Sequence, residues 1–232
     1  MSTTTLITGA NKGLGLETAR QLLAAGHTVY IGARSQAKAE QAAQELGSNA
    51  RPLVIDITDD ASVKAAAQQV GTESGALDVL VNNAGIADPS DDDGPTGSDM
   101  LTVLDTNVVG IVRMMHAFVP LLQAGKGVVV NVGSGLGSFG RTTDLSRMEG
   151  QFAAPAYNAS KAAVSMLTVQ YAKIYPNMRI NVVDPGFTAT DFNGNTGIQT
   201  VAEGAEAIVR AAQIDTDGPT STFTDRDGNI PW

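Results

Sequence analysis

Short apolar runs alternate with longer helical segments along the whole chain, and this alternation limits the choice of fold. The runs are nearly continuously apolar, as parallel strands covered on both faces are. The β–α–β order predicts an α/β, doubly wound parallel sheet (a Rossmann fold) of about seven strands with helices on both faces. The predicted strands are Leu6–Thr8, Thr28–Ile31, Leu53–Ile55, Val79–Val81, Val128–Val130, Ile180–Val183 and Ser221–Thr224.

The segments between these runs are rich in Ala, Gln and Leu, which favour helices. The chain has 232 residues, a length that fits one large α/β domain, so we predict a single domain over residues 1–232. The predicted helices are Leu14–Ala25, Gln36–Leu46, Ala61–Val70, Ser98–Gln123, Tyr157–Tyr175 and Val201–Ala212.

Composition excludes several classes of function. The formal charge is −9, from 24 acidic and 15 basic residues, and an acidic surface repels nucleic-acid phosphates, so we expect no nucleic-acid partner. Cys is absent and only His27 and His116 are present, so we expect no disulfide and no metal site. The acidic loop Asp88–Asp99, with Asp91–Asp93, is expected to be a solvated turn rather than a calcium site.

Neither a signal peptide nor a membrane helix is expected. The sequence near Met1 has no charged segment followed by a long apolar one. No continuous apolar run approaches the ~20 residues of a membrane helix. The expected location is therefore the cytoplasm.

A glycine-rich turn lies between the first predicted strand and the first predicted helix. Glycine lets the backbone approach a pyrophosphate closely, and a helix N-terminus presents free N–H groups to it. The alternative is an ordinary glycine-rich turn, but the strand before it and the helix after it favour a dinucleotide site. The turn reads Gly9-Ala10-Asn11-Lys12-Gly13-Leu14-Gly15.

The end of the second strand predicts which dinucleotide binds. An acidic residue there would bind the ribose 2′-hydroxyl of NAD, whereas a basic residue would bind the 2′-phosphate of NADP. The strand ends at Arg34, and no Asp or Glu occurs between Glu17 and Glu40. With Lys12 in the glycine turn, two cations favour NADPH/NADP+ as the cofactor. The alternative is that both are simply solvent-exposed charges.

Tyr157 and Lys161 are one helical turn apart, so their side chains share a face. A free Tyr has a pKa of ~10, and we expect the ammonium and a positive nicotinamide ring to lower the pKa of Tyr157. Ser134 follows a predicted strand at the sheet edge where such folds bind ligands, and its hydroxyl could polarise a carbonyl. By itself a Tyr-x-x-x-Lys pair is a frequent chance match, and Ser134 could be an ordinary loop serine.

Taken in order, these motifs resemble the short-chain dehydrogenase/reductase family along nearly the whole chain. The resemblance rests on a set of motifs that occur together: Thr8-Gly9-x-x-x-Gly13-x-Gly15, Asp56-Ile57, Asn82-Asn83-Ala84-Gly85, Asn107, Ser134, Tyr157-x-x-x-Lys161 and Pro185-Gly186-x-Thr188-x-Thr190.

The resemblance implies a role for each matching residue. Tyr157 would exchange the proton, Ser134 would orient the carbonyl, and Asn107 would hold a water in a relay with Lys161. Lys161 would also bind the nicotinamide ribose, which Tyr157 adjoins. The remaining positions would contact other parts of the cofactor: Asp56 and Ile57 the adenine, Asn83, Ala84 and Gly85 the adenosine side, and Pro185, Gly186, Thr188 and Thr190 the carboxamide and pyrophosphate.

Lys12, Arg34, the tail Phe223–Trp232 and the segment Arg141–Gln151 are similar to features of NADPH-dependent carbonyl reductases within this family. This likeness implies reversible reduction of a small ketone or aldehyde to an alcohol, with the hydride from NADPH and the proton from Tyr157. Members are usually homodimers or homotetramers built on the two long helices, but carbonyl reductases with such extra segments can be monomers.

Three other functions share some of these sequence features. A serine hydrolase is excluded because Val132, not Gly, stands two residues before Ser134. A non-catalytic NADP-binding regulatory protein is disfavoured because all four candidate catalytic positions are filled. A 3-oxoacyl thioester reductase of lipid or polyketide synthesis remains the alternative within the enzyme class.

Apolar residues near the candidate catalytic positions predict the substrate class. A mostly apolar wall with few polar groups binds apolar ligands, so we expect an apolar ketone or aldehyde. We expect Arg141 and Arg147 to face solvent. The residues expected to form the wall are Leu136, Phe139, Met148, Phe152, Phe187 and Phe192.

Overall fold

One parallel sheet organises the protein. The computed structural model describes residues 2–88 and 94–232. Its strands are β1 Thr4–Ile7, β2 Thr28–Ala33, β3 Ala50–Val54, β4 Val79–Asn82, β5 Val128–Val132, β6 Arg179–Val183 and β7 Phe223–Thr224. Across the sheet their order is β3-β2-β1-β4-β5-β6-β7, and every pairing is parallel. The predicted doubly wound fold is confirmed.

Helices cover both faces of this sheet. The six predicted helices are all present, with ends within a few residues of those expected, apart from a longer third helix. The α-helices of the described residues are α1 Gly13–Ala24, α2 Gln36–Leu46, α3 Asp60–Ser74, α4 Gly97–Leu104, α5 Gly110–Ala124, α6 Phe139–Thr142, α7 Pro155–Ile174 and α8 Val201–Ala212. The fourth predicted helix corresponds to α4 and α5 together, and α6 was not predicted.

The helix expected over Ser98–Gln123 contains a wide turn. Residues Asp105–Val109 form a π-helical turn between α4 and α5, which places Asn107 at an irregularity of the helix. Such turns often occur at functional sites. By length and composition the helix Gly97–Ala124 could cross a membrane, although charged residues such as Asp105 and Arg113 interrupt its apolar sequence. Its side chains Met114 and Phe118 are nevertheless fully buried against the sheet.

The core has two layers because successive strand residues point to opposite faces. On one face Leu6, Leu80 and Val129 pack with Met114 and Phe118 of α5. On the other face Ile7, Val81 and Val130 pack with Leu22 of α1 and Ile208 of α8. The central strands β1, β4 and β5 are therefore covered on both sides, and only their ends are open to ligands.

The order of the strands reverses between β1 and β4. At such a switch point the loops that leave the carboxyl ends of neighbouring strands run in opposite directions and open a crevice. The loops after β1, β4, β5 and β6 therefore meet at one edge of the sheet. These are the loops that carry the predicted site residues.

The acidic loop is only partly described, since Asp91–Asp93 lie outside the described residues. At its end Asp99 is accessible to solvent, as expected, and its carboxylate also accepts hydrogen bonds from the backbone N–H and hydroxyl of Thr96 (2.8 and 2.6 Å). The two residues form a reciprocal cap at the start of α4. At the other end, Asp88 has a structural partner as well.

Candidate active site

A cleft of about 1400 Å³ opens along the carboxyl edge of the sheet. Every residue predicted to bind the cofactor lines it, and so do Ser134, Tyr157 and Lys161. Asn107 does not line it but lies behind Gly85, with a side chain that is almost fully buried. In the part of the chain that the structure describes, no group of three His, Cys, Asp or Glu side chains could hold a metal ion.

The glycine turn after β1 leaves its backbone uncovered. Gly9 and Gly13 have φ angles of +64° and +55°, which favour glycine. A Cβ on Gly15 would lie 2.6 Å from the carbonyl oxygen of Gly9, so no larger residue fits. Within the described residues no side chain caps the start of α1. Free N–H groups beside bare backbone fit a bound pyrophosphate.

Asn83 holds this turn against the loop after β4. Its Nδ2 donates to the carbonyl oxygens of Thr8 (2.8 Å) and Gly9 (3.2 Å). The Thr8 hydroxyl accepts in return from the backbone N–H groups of Asn83 and Ala84, both at 3.0 Å. The side chain of Asn83 therefore braces the turn, while residues 83–85 line the cleft.

Basic residues lie at the end of the cleft beyond the glycine turn. Arg34 is exposed. Lys12, with 66% of its side chain exposed, lies 3.4 Å from Asp191 across the cleft. Partial burial raises the pKa of Asp56, but hydrogen bonds from Thr58 and the nearby charge of Arg34 outweigh this effect and lower it. Arg34 is thus close to the residue predicted to contact adenine.

The loop after β6 closes the cleft from the opposite side. Thr188 is buried and its hydroxyl donates to the carbonyl oxygen of Pro185 (3.1 Å). A Cβ on Gly13 would lie 3.8 Å from the methyl group of Thr190. The loop after β6 therefore approaches the glycine turn closely at Gly13.

Helix α7 carries the Tyr–Lys pair. Lys161 is almost fully buried, and its Nζ donates to the carbonyl oxygen of Val132 (2.7 Å) and lies 5.4 Å from the centre of the Tyr157 ring. Burial lowers the pKa of Lys161 to about 8, against the opposing charge of Asp184. At neutral pH most Lys161 side chains are therefore protonated.

The expected lowering of the Tyr157 pKa is wrong for the protein by itself. Burial raises the pKa of the phenol, the contact with Ser134 lowers it less, and the charge of Asp184 raises it further. The expectation gave too much weight to the ammonium of Lys161, whose Nζ is directed to Val132. At neutral pH Tyr157 is therefore a protonated phenol.

Ser134 and Asn107 both lie near this pair, Ser134 in contact with Tyr157 and Asn107 bonded to Ser160. Ser134 begins a short helical turn, and its Oγ accepts from the N–H of Leu136 (3.2 Å). The amide of Asn107 accepts from the N–H of Ile86 (2.8 Å) and donates to the carbonyl oxygen of Ile86 (2.9 Å) and to Ser160 Oγ (3.0 Å). Asn107 thus joins the π-helical turn to α7 and to the loop after β4.

The predicted apolar wall is present except for one ring. Phe152 and Phe187 have ring centres 6.4 Å apart, and Phe192 lies 5.8 Å from Tyr157. The prediction that Phe139 belongs to this wall is wrong. Phe139 lies on α6, is 71% exposed and lies outside the cleft. The wall residues that line the cleft are Leu136, Met148, Phe152, Phe187 and Phe192.

The prediction that Arg141 faces solvent is also wrong. Only 12% of its side chain is exposed, and it contacts Glu149, Asp184 and Asp225. Arg147 is 44% exposed, as expected, but it also lines the cleft and contacts Glu149. A buried Arg141 need not attract an anionic substrate, because three carboxylates already surround it.

Sequence reasoning missed Asp88 and the partners of Arg141. Asp88 accepts hydrogen bonds from the backbone N–H groups of Ala156 (3.1 Å) and Tyr157, so it caps the first turn of α7. Pro155 begins this helix and Ala154 before it provides no cap. That uncapped start was a signal that another segment supplies the acceptor, although its distance along the chain hid which one.

Three comparisons with known proteins agree with this geometry. The family model described as short chain dehydrogenase matches residues 3–200. A short-chain dehydrogenase, anuI, of Penicillium roqueforti is 42% identical over 221 residues, which cover 89% of this chain and 87% of the relative. A (+)-neomenthol dehydrogenase of Capsicum annuum is 29% identical over 296 residues and 94% of each chain. The NADPH-bound carbonyl reductase from chicken fatty liver is 29% identical, with a TM-score of 0.87 and 100% of both chains covered.

Substitution of Asp88 tests whether its cap positions Tyr157. Asp88→Ala should cost about 0.5–2 kcal/mol of stability, as loss of a helix cap does. It should also lower turnover with the nicotinamide cofactor roughly 10- to 100-fold, because small displacements of reacting groups are costly. Asp88→Asn, which keeps an acceptor, should lose less of both. Steady-state kinetics and urea unfolding measure the two effects.

Asp59→Ala is the matched control, because Asp59 caps α3 by accepting from the N–H of Ala61 (2.9 Å). It should lose similar stability and keep its turnover. Equal turnover in the two Ala variants at equal stability loss would show that Asp88 is only a structural cap.

Proposed function

Since the chain belongs to the short-chain dehydrogenase family, we propose that it reduces a ketone or aldehyde to an alcohol with NADPH as the reductant. The observation that carries this proposal is the shared cleft: the side chains of Ser134, Tyr157 and Lys161 line the same cavity as the bare glycine turn. A carbonyl held between Ser134 and Tyr157 would be beside any nicotinamide held there. The reduction of a carbonyl, not only cofactor binding, requires this juxtaposition.

Each candidate catalytic residue has a distinct task in this proposal. When bound, the reduced nicotinamide supplies the hydride that adds to the carbonyl carbon. Tyr157 gives its phenolic proton to the carbonyl oxygen, and Ser134 orients that oxygen. The ammonium of Lys161 stabilises the phenolate that remains and binds the nicotinamide ribose. Asn107 sets the position of α7 through Ser160 and would hold the relay water near Lys161.

The protonation state of Tyr157 fits the role of a general acid in the proposed reduction. Burial raises the pKa of Tyr157, so at neutral pH the phenol carries the proton that a reduction consumes. A general acid must be protonated before it can act. The reverse oxidation would use the same groups with Tyr157 as the base, so the proposed reaction is reversible.

The adenosine end of the cleft supports NADPH over NADH. Arg34 is positioned after β2, near Asp56, where a 2′-phosphate would lie. Lys12 can leave Asp191 for that phosphate at little cost, because both side chains are about two-thirds exposed and exposed ion pairs are weak. The carbonyl reductase from chicken fatty liver is itself NADPH-bound.

The substrate end of the cleft supports a neutral, apolar carbonyl compound. Its wall contains three phenylalanines and Met148. The charges beside it are three carboxylates and two guanidiniums, those of Arg141 and Arg147, so their formal sum is negative and disfavours anions. The (+)-neomenthol dehydrogenase of Capsicum annuum bears the name of an apolar alcohol. A 3-oxoacyl thioester attached to a carrier would have to enter the cleft past these carboxylates. It remains the alternative substrate to be tested.

Cofactor choice is tested by reversing the charge of Arg34. Wild type should use NADPH with a higher kcat/KM than NADH, and Arg34→Asp should lower this ratio about 10- to 100-fold. Loss of one charge-assisted bond to phosphate is worth ~1.5–3 kcal/mol. Lys38→Asp, the same charge change on α2 outside the cleft, should leave the ratio unchanged. A wild type that prefers NADH would contradict the assignment.

Substrate charge is tested with three compounds of one skeleton. We expect acetophenone and methyl 4-acetylbenzoate to be reduced with kcat/KM at least about 10-fold above that of 4-acetylbenzoate, because only the last carries a charge into the anionic surroundings. The methyl ester controls for size. NADPH consumption at 340 nm reads all three, and a preference for the carboxylate would show that the wall presents a free cation.

A further inference from the structure

Arg141 is the centre of a buried cluster of charges. Its Nη1 lies 3.1 Å from Glu149 Oε1 and 3.1 Å from Asp184 Oδ2, and its Nη2 lies 2.5 Å from Asp225 Oδ2. The exposed fractions of the four side chains lie between 8% and 16%. Arginine can bind several carboxylates at once because its guanidinium presents five donors in a fixed plane. This cluster is therefore held by geometry as well as by charge.

The three carboxylates come from three different parts of the chain around the substrate end of the cleft. Glu149 belongs to the segment Arg141–Gln151, Asp184 directly precedes the Pro185-Gly186 turn, and Asp225 follows β7. Asp184 also accepts from the N–H of Gly186 (2.9 Å). One guanidinium therefore connects the extra segment to the loop that is expected to hold the nicotinamide.

The charged cluster also packs against the loop that carries Ser134. A Cβ on the next residue, Gly135, would lie 2.9 Å from Asp184 Oδ2, 2.9 Å from Glu149 Oε1 and 3.1 Å from Arg141 Nη1. Only glycine leaves room for the three charged groups to meet there. The cluster therefore packs against the backbone of this loop at Gly135, whereas the Ser134 hydroxyl has a separate contact with the N–H of Leu136.

A second set of contacts fastens the start of the same segment to the last residues of the chain. Ser138 Oγ accepts from the N–H of Arg141 (3.1 Å) and donates to the carbonyl oxygen of Pro231 (2.5 Å). The N–H of Gly140 donates to the carbonyl oxygen of Trp232 (3.0 Å). Beyond α6, the segment has only short turns of its own, so its place depends on such contacts.

We propose that Arg141 is the positioning residue that fixes the substrate wall and so determines which carbonyl compounds the cleft accepts. Through Glu149 it holds the segment Arg141–Gln151, which supplies Met148, over the cleft. Through Asp184 it sets the distance between that wall and the Pro185-Gly186 turn. The inference rests on the proposed carbonyl reduction, but the anchoring itself can be tested without a substrate.

The first experiment measures anchoring by amide hydrogen exchange in the complex with NADPH. In Arg141→Met, peptides covering residues 139–152 should exchange at least about 10-fold faster than in wild type, since local opening sets these rates. Peptides from β4 and β5 should be unchanged. Arg20→Met is the matched control: Arg20 also contacts two carboxylates, Glu17 and Glu45, but on the exposed side of α1. Unchanged exchange over 139–152 in Arg141→Met would overturn the anchoring.

The second experiment measures specificity by steady-state kinetics with acetophenone and the bulkier benzophenone. In Arg141→Met the KM for acetophenone should rise at least about 10-fold while kcat falls less than about 3-fold, as expected when a wall is displaced and the reacting groups are not. The ratio of the kcat/KM values for the two ketones should also change. The dissociation constant of NADPH, read by its fluorescence, should rise by a smaller factor than the KM for acetophenone.

Two further variants keep the result decisive. If Arg141→Met does not fold, Asp225→Asn replaces it, because this change weakens only one contact of the cluster. Asp225→Asn should also raise the exchange rates over residues 139–152 and the KM for acetophenone, but by smaller factors. Arg141→Lys keeps the positive charge but loses the planar guanidinium with its five donors. Its exchange rates over residues 139–152 and its KM for acetophenone should lie between those of wild type and Arg141→Met. A variant that loses stability but keeps both KM and the substrate ratio would overturn the proposal. Absence of any carbonyl reduction by wild type would instead overturn the proposed function on which the specificity rests.

Discussion

The attachment of helix α7 to strand β5 fixes where the chemistry can take place. Lys161 reaches the carbonyl oxygen of Val132 at the end of β5, and deeper in the fold Asn131 Nδ2 donates to Thr168 Oγ1 (2.9 Å). Buried hydrogen bonds of this kind are costly to break because the freed groups find no water. The Tyr157 phenol is therefore held in a defined relation to the sheet edge, where the cofactor cleft begins.

Around this attachment, backbone groups supply much of the site and side chains supply the proton and the charges. The glycine turn offers bare N–H groups, Asn83 braces it, and Asp88 holds the first turn of α7. Cations and carboxylates occur at both functional ends of the cleft. Arg34 and Lys12 lie at one end beside Asp56 and Asp191, and three carboxylates surround Arg141 at the other. The two cations would bind the phosphates of a dinucleotide, whereas the carboxylates around Arg141 disfavour anions.

The sequence predicted those features that depend on residues close together in the chain. The glycine turn, the Tyr157–Lys161 spacing and the helix Val201–Ala212 each follow from a local pattern, and the structure has all three. The cluster of Arg141 could not be found in this way, because its partners lie 8, 43 and 84 residues away. The cap from Asp88, the π-helical turn at Asn107 and the outward direction of Phe139 likewise depend on tertiary contacts that no local pattern records.

The central claim is that Tyr157 gives the proton in a hydride transfer to a carbonyl. It is tested most directly with the two C4-deuterated stereoisomers of NADPH and acetophenone, followed by mass spectrometry of the alcohol. In wild type, one stereoisomer should place its deuterium on the carbinol carbon. In Tyr157→Phe this transfer should slow by at least the ~10²-fold typical of general acid catalysis, with NADPH binding retained. An alcohol without deuterium at that carbon, or equal rates in the two proteins, would contradict the account.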